Sequence, residues 1–253
     1  MIRYYCSGFN INDPFGYGLA NMIKNELKDS NSIVYIVGSP KKPKKIEKAE
    51  NVHKKNFDES LTRNGIAFEN SYIIKPDTNP ELAKKWIDES SFLMLMGGDP
   101  FDQKEMCEQL GIIDNIKNYK GIMMGFSAGA MLMSEYMIIT PCSEEYPDFH
   151  IEKGLNLDNI SIYPHNNTNS EEYPDVLDIG GEIYKKQDLL KVAKEYDKFY
   201  LIQDYLREDG LFDISIIKAN NGIIEFYTEN NGKIWEVTDD ISLLSSTQNK
   251  KIK

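Results

Sequence analysis

Between an apolar stretch typical of a β-strand and an apolar stretch typical of a helix, the chain has the sequence Gly125-Phe126-Ser127-Ala128-Gly129-Ala130. When a strand turns sharply into a helix, small residues on either side relieve crowding, and the residue at the apex keeps its side chain exposed. Glycines that flank a serine also occur in ordinary turns. The apolar stretches on both sides favour a nucleophile elbow with Ser127 at its apex.

Length and charge limit the classes of protein to consider. The chain has 253 residues, and we expect one α/β domain over residues 1–241 and a frayed polar tail over residues 242–253. Its 29 Lys and Arg against 40 Asp and Glu give a net charge of −11. This charge argues against binding nucleic acid or an anionic membrane without specific contacts. Whether the chain forms a homodimer stays open.

Cysteine usage and hydropathy indicate the compartment. The three cysteines, Cys6, Cys107 and Cys142, are few and lack the spacing of metal ligands, which favours reduced thiols. No secretory signal follows Met1, and the longest uncharged stretch, Gly121–Ser134, is too short to span a bilayer. We therefore expect a cytoplasmic protein.

In the first half of the chain, short apolar runs alternate with longer amphipathic segments, which is typical of a parallel sheet covered by helices. We predict strands at Ile2–Ser7, Ile33–Val37, Tyr72–Ile74, Phe92–Met96 and Ile122–Gly125. We predict helices at Phe15–Lys28, Lys45–Asn64, Pro80–Asp88, Pro100–Asn118 and Ala128–Met137.

The second half has a different pattern, with one predicted helix, Glu182–Glu195, between the strands Ile160–Tyr163 and Phe199–Gln203. Two Asn-Asn-Gly sequences, 220–222 and 230–232, then separate three short apolar runs. These residues tolerate the positive φ of tight hairpins, so we predict an antiparallel meander that closes the sheet. Its strands are Ile214–Lys218, Ile223–Tyr227 and Lys233–Val237.

A serine nucleophile needs a histidine base, and the chain has three histidines. His53 lies in a charged helical stretch, where a solvated surface position is expected. His150 lies in an irregular segment and is expected to be a surface or packing residue. His165 ends the strand Ile160–Tyr163 after Pro164, and ligands of open α/β sheets collect at the carboxyl ends of strands. His165 is therefore the preferred base. The alternative is that His165 only caps or stabilises the turn.

The oxyanion of an acyl-transfer reaction is best held by fixed backbone amides. One candidate is the amide of Ala128, directly after the serine. The other is Gly98 in Gly97-Gly98-Asp99-Pro100, because Gly-Gly lets the backbone approach a substrate closely. Asp99 is expected to be the N-cap of the following helix, with Pro100 at its first position.

Three segments together resemble the peptidase E family of serine peptidases, which includes aspartyl dipeptidases and cyanophycinases. They are Gly97–Phe101, the elbow at 125–130, and Gly154-Leu155 with Ile162-Tyr163-Pro164-His165. The resemblance implies a fold similar to class I glutamine amidotransferase domains: α/β, with three layers and a doubly wound, mostly parallel sheet, here extended by a C-terminal antiparallel hairpin. It also implies Ser127 as nucleophile, His165 as base, and the oxyanion amides at Gly98 and Ala128.

The third member of the triad has several candidates. The resemblance places an acidic residue after the strand that follows the histidine, where Asp204 ends Tyr200–Gln203 and is the first choice. Asp209 in Glu208-Asp209-Gly210 matches the acidic-Gly pair of relatives, and Glu144 or Glu145 is a further alternative. Asp204 and Asp209 follow the histidine along the chain, whereas in α/β-hydrolases the acid precedes the histidine.

The leading hypothesis is a serine exopeptidase that hydrolyses small peptides, with Asp-Xaa dipeptides as one candidate substrate and no metal or organic cofactor. The chain has Asp99-Pro100-Phe101 where aspartyl dipeptidases tend to have a third glycine and an Asn-Thr pair. No Arg or Lys next to the motifs identifies the group that would bind a substrate carboxylate. The alternatives are an inactive protein that binds a small metabolite in the same pocket, and an esterase or amidase for non-peptide substrates.

Overall fold

The computed structural model describes residues 1–10, 14–139, 141, 148–168, 172–179, 182–196, 198–208, 212–244 and 251–252. Five parallel strands from the first half form the centre of the main sheet, in the order β1-β5-β4-β2-β3. Their apolar runs are almost continuous because helices cover the sheet. β2 and β5 are buried throughout, and β4 is buried except at Gly97 and Gly98. Their bounds are β1 Ile2–Cys6, β2 Ser32–Gly38, β3 Asn70–Ile74, β4 Phe92–Gly98 and β5 Ile122–Phe126.

The helices of the first half lie between these strands, as predicted, with three corrections. The segment Pro100–Asn118 forms two helices, because the chain turns at Gly111, where φ is +64°. The elbow helix ends at Met133 rather than Met137, because Tyr136–Ile139 forms a strand. The segment predicted as Lys45–Asn64 contains one π-helical turn, Ala49–His53, between two α-helices. The bounds are α1 Gly16–Glu26, α2 Pro43–Lys48, α3 Lys54–Arg63, α4 Pro80–Glu89, α5 Pro100–Gln109, α6 Ile113–Asn118 and α7 Ala128–Met133.

The C-terminal hairpin extends the main sheet on the other side of β1. Its strands are β13 (Phe212–Asn220), which pairs antiparallel with β1, and β14 (Ile223–Glu229). Asn221 and Gly222 connect them with φ values of 51° and 81°, so the first Asn-Asn-Gly sequence forms the predicted tight hairpin. The predicted fold class, mixed α/β with a mostly parallel central sheet, is confirmed.

The second half also forms a separate sheet of four strands, which the sequence analysis did not predict. The second Asn-Asn-Gly sequence leads into a strand of this sheet, so the predicted three-stranded meander is wrong at its last strand. Apolar side chains between this sheet and its neighbours form a second core, which includes Phe199, Leu201 and Trp235. The strands, in spatial order, are β16 (Ile241–Leu243), β15 (Ile234–Val237), β11 (Phe199–Ile202) and β8 (Ser161–Tyr163).

Short pairs of strands complete the described fold. The predicted helix Glu182–Glu195 is shorter, because residues 182–185 form a strand and α8 spans Lys186–Ala193. Strand β16 extends to Leu243, although the frayed tail was expected to begin at residue 242, and Lys251–Ile252 (β17) pairs with β14. The remaining strands are β6 (Tyr136–Ile139) with β7 (His150–Lys153), β9 (Val176–Ile179) with β10 (Glu182–Lys185), and β12 (Asp204–Leu206) with β13.

Cys6 and Cys107 are buried free thiols, and burial raises the pKa of both. Cys142 lies outside the described residues. In the described part of the chain, no helix is long and apolar enough to cross a membrane.

Candidate active site

Ser127 lies at the turn between β5 and α7, as the sequence predicts. Its backbone has φ 50° and ψ −114°, a conformation that residues with a Cβ rarely adopt. The two flanking glycines make this turn feasible. A Cβ on Gly129 would lie 2.1 Å from the Leu95 carbonyl oxygen, and one on Gly125 would lie 2.5 Å from the Ala130 nitrogen. The turn therefore presents the Ser127 hydroxyl at the carboxyl edge of the main sheet.

This backbone strain leads to a prediction about stability. We expect Ser127→Gly to have a free energy of unfolding about 1 kcal/mol higher than Ser127→Ala, because glycine relieves the strained φ at some cost in unfolded-state entropy. Both variants lack the hydroxyl and differ only in the Cβ atom. Urea denaturation with equal m-values would measure the difference. Equal or greater stability of the alanine variant would show that the turn stores no strain.

His165 follows β8 and reaches Ser127 from the second sheet. Its Nε2 lies 2.7 Å from the Ser127 Oγ, and its Nδ1 lies 2.7 Å from the Asp204 Oδ1. A carboxylate only accepts hydrogen bonds, so we assign the ring proton to Nδ1, which leaves Nε2 free to accept the serine proton. The three side chains form one continuous chain of hydrogen bonds.

Asp204 begins β12, and a single residue, Gln203, separates it from the end of β11. Its side chain is 15% exposed, against 46% for His165. Its backbone N–H donates to the Asn167 Oδ1 at 3.1 Å, so the acid and the loop after His165 are connected. The alternative acids Asp209, Glu144 and Glu145 lie outside the described residues.

The Gly97-Gly98 loop borders the serine. A Cβ on Gly97 would lie 3.4 Å from the Ser127 Cβ, and one on Gly98 would lie 2.2 Å from the Gly38 carbonyl oxygen. The Gly98 position therefore depends on the absence of a side chain, whereas a Cβ on Gly97 would make an ordinary van der Waals contact with the serine. Ala128 is the first residue of α7, so its N–H has no carbonyl within the helix to bind. One candidate oxyanion amide, that of Gly98, belongs to this loop, and the other, that of Ala128, belongs to the elbow.

Asp99 caps α5, as predicted. Its carboxylate accepts hydrogen bonds from the amides of Phe101 and Asp102, both at 3.0 Å, and the residue is buried. Its negative charge is therefore committed to the helix N-terminus, and the chain gains no charged group for the pocket from this motif.

A cavity of about 250 Å³ opens next to Ser127. Lys45, Lys48 and His53 line one side, while Phe9 and Phe57 contribute apolar rings. The lysine side chains belong to exposed residues, and His53 is half-buried. The cavity wall also includes Gly97 and Gly98. The basic side chains give this pocket a positive character although the whole chain is acidic.

His53 was predicted to lie on the solvated surface, but it is half-buried and lines the cavity. It belongs to the π-helical turn, which shifts the residues after it around the helix relative to an α-helix, and such turns are frequent at functional sites. Its Nδ1 is buried with no partner among the described residues. Burial, with Lys48 and Lys45 nearby, holds the pKa of His53 below its usual value.

Lys45 and Lys48 were not identified from the sequence. They are three residues apart and share one face of α2, but nothing in the sequence shows that this face lies beside Ser127. His150, by contrast, is exposed as expected. It contacts Glu152, with Nε2 3.1 Å from Oε1, and packs edge-on against Phe101.

The comparison with protein families identifies the chain. The model of peptidase family S51, the peptidase E family, matches residues 21–195, which include Ser127 and His165. The chain belongs to peptidase family S51. Family S51 members are serine-type peptidases, so the chain is an enzyme, and the interpretation as an inactive binding protein is set aside.

Solved structures show the same fold at low sequence identity. A peptidase from an acI-B1 actinobacterium has a TM-score of 0.62 and 14% identity, with 99% of this chain and 96% of that chain covered. A protein from Listeria monocytogenes EGD-e assigned to peptidase E has a TM-score of 0.57 and 16% identity, with coverages of 90% and 98%. Among curated proteins, none matches this family S51 chain.

Proposed function

We propose that this family S51 member is an exopeptidase that hydrolyses small peptides after an acidic residue, with Ser127, His165 and Asp204 as its catalytic triad. The observation that carries the proposal is the continuous hydrogen-bonded chain from Ser127 to Asp204 beside a pocket lined by Lys45 and Lys48. The hydrogen bonds support the proposed triad, and the lysines of the pocket support an acidic residue in the substrate.

The proposed reaction begins with the transfer of the Ser127 proton to the His165 Nε2 while Oγ attacks the peptide carbonyl carbon. Asp204 holds the ring through Nδ1 and stabilises the imidazolium that forms. The tetrahedral intermediate collapses, the C–N bond breaks, and His165 returns the proton to the leaving amine. Water, activated by the same histidine, then hydrolyses the acyl-enzyme.

The amides of Gly98 and Ala128 would stabilise the negative charge on the carbonyl oxygen. Both belong to backbone segments that packing fixes around the serine, so they need no rearrangement when the charge develops. This role is consistent with the close approach of the Gly97 backbone to Ser127.

The pocket supports an acidic residue before the scissile bond. Its wall contains two lysines and no Asp or Glu among the described residues, so an anionic side chain would find attraction and no repulsion there. A cavity of about 250 Å³ suits a short side chain such as aspartate. Asp99, whose carboxylate caps α5, does not line the pocket.

The direct test is hydrolysis of dipeptides and aminoacyl anilides with Asp, Glu, Ala, Lys or Leu in first position. Asp substrates should be cleaved fastest, and an N-acetylated Asp anilide should be a poor substrate for an exopeptidase. Equal cleavage of the Lys and Asp substrates would contradict the proposed specificity. Cleavage of simple esters alone would favour the esterase alternative.

The pocket lysines provide a prediction about specificity. We expect Lys45→Ala and Lys48→Ala each to lower kcat/KM for Asp substrates about 5- to 30-fold, because a charged hydrogen bond is lost at a partly solvated site. Cleavage of Ala substrates should change less than about 3-fold. The preference for Asp should also weaken at high salt.

Lys44→Ala is the matched control for these two variants. Lys44 is an exposed lysine on the same helix, α2, and does not line the cavity. An equal loss in the control would mean that the positive electrostatic potential of the α2 lysines, rather than contact in the pocket, causes the loss.

A further inference from the structure

Ser7, the residue directly after β1, contacts two of the three triad residues. It is fully buried. Its Oγ lies 2.7 Å from the backbone nitrogen of His165 and 2.5 Å from the Asp204 Oδ1. We propose that Ser7 is a positioning residue, which holds His165 and Asp204 in register with Ser127. This inference rests on the proposed function and adds a fourth residue to it.

The direction of these hydrogen bonds follows from the number of protons. The His165 N–H donates to the Ser7 oxygen, so the single hydroxyl proton is free to go to an acceptor. Two acceptors are in range, the Asp204 Oδ1 at 2.5 Å and the Ile202 carbonyl oxygen at 3.1 Å. The shorter contact with the charged oxygen is the stronger hydrogen bond, so Ser7 donates to Asp204.

These contacts close a ring of hydrogen bonds around the base. The oxygen that accepts from Ser7 also accepts from the His165 Nδ1 at 2.7 Å. Ser7 therefore fixes the backbone of His165, while Asp204 fixes its imidazole. His165 has φ 61°, which is uncommon for a residue with a side chain, and the hydrogen bond to its N–H helps to hold that conformation.

The position of Ser7 explains why this link matters. Ser127 follows β5 of the main sheet, and His165 follows β8 of the second sheet. Asp204 lies where the chain passes from β11 of the second sheet to β12, which pairs with β13 of the main sheet. The preceding residue, Cys6, accepts a hydrogen bond from the Ser127 N–H at 2.9 Å. Two successive residues of one chain segment thus contact the nucleophile on one side and the base with its acid on the other.

The next residue restrains the same carboxylate. A Cβ on Gly8 would lie 2.1 Å from the Asp204 Oδ2, so the backbone passes directly against the acid. The end of β1 therefore limits where Asp204 can lie, and the Ser7 hydroxyl supplies the directional contact.

We expect Ser7→Ala to lower kcat about 10- to 100-fold and to leave KM within about 2-fold, since a small displacement of the base costs catalysis rather than binding. Labelling of Ser127 by a fluorophosphonate should slow by a similar factor, which gives a readout independent of the substrate. Ser7→Cys keeps the shape of the side chain, with a slightly larger atom and a weaker donor. It should give an intermediate loss, so it serves if the alanine variant does not fold. Unchanged labelling in a folded variant would overturn the inference.

A double-mutant cycle separates positioning from general destabilisation. If Ser7 acts through Asp204, adding Ser7→Ala to Asp204→Asn should cost less than about 3-fold. Fully multiplicative losses would overturn the part of the inference that links Ser7 to the Asp204 carboxylate. Ser215→Ala is the control for a lost buried hydroxyl, since Ser215 is also fully buried and its Oγ donates to the Lys233 carbonyl oxygen at 2.8 Å. If Ser127 of the wild type is not labelled at all, the proposed function fails, which is a different result from equal labelling of wild type and Ser7→Ala.

Discussion

Replacing Ser127 with alanine is expected to lower turnover about 10⁴- to 10⁶-fold, because the proposed mechanism then has no nucleophile. The loss should fall on kcat, because the pocket formed by Lys45, Lys48 and His53 is untouched. Steady-state kinetics with the best substrate of the Asp series would measure it. The residual rate would report what the oxyanion amides and substrate binding contribute without the serine.

Labelling provides the control for this experiment. A fluorophosphonate should modify the wild type at Ser127 and leave the alanine variant unmodified, and peptide mapping would locate the adduct. Ser39, another serine in the cavity wall, should remain unlabelled, because no histidine among the described residues is hydrogen-bonded to its hydroxyl. Full activity of Ser127→Ala would end the assignment of the nucleophile.

The second large effect is expected for Asp204→Asn, with a loss of about 10⁴-fold in kcat. The carboxylate accepts from the His165 Nδ1 at 2.7 Å. An amide can present its NH₂ group there, which favours the ring tautomer with the proton on Nε2, and that tautomer cannot accept the serine proton. The shape of the side chain is kept, so the substitution tests the charge and the tautomer.

The alternative acids supply matched variants for this prediction. Asp209→Asn and Glu144→Gln make the same chemical change at the other candidate positions and should keep activity within about 3-fold of the wild type, because the contact between Asp204 and the His165 Nδ1 is kept. A loss of several thousand-fold in either of them, with an active Asp204→Asn, would transfer the role of orienting His165 to that residue.

Local sequence determined much of the fold. Each parallel strand is a short apolar run between amphipathic helices, and such patterns depend on residues close together in the chain. Asn221-Gly222 specified a hairpin because both residues tolerate positive φ. The elbow at Ser127 was predictable because Gly125 and Gly129 lack the side chains that would clash in the turn. Asp99 was predictable as a helix cap.

The tertiary structure decided which distant residues meet. The sequence could not show that β15 leaves the hairpin for a second sheet, because the Asn-Asn-Gly sequence before it resembles the one that does form a hairpin. It offered several acids for His165, and the tertiary structure, in which Asp204 begins a strand paired with β13, brings this acid to the His165 Nδ1. The sequence predicted His53 as a solvated helix residue and did not identify Lys45 or Lys48. In the structure, the π-helical turn brings His53 to the cavity beside the serine, and α2 brings the two lysines there. The physical reason is that spacing along the chain fixes backbone conformation locally, whereas contacts between sheets depend on how whole elements pack.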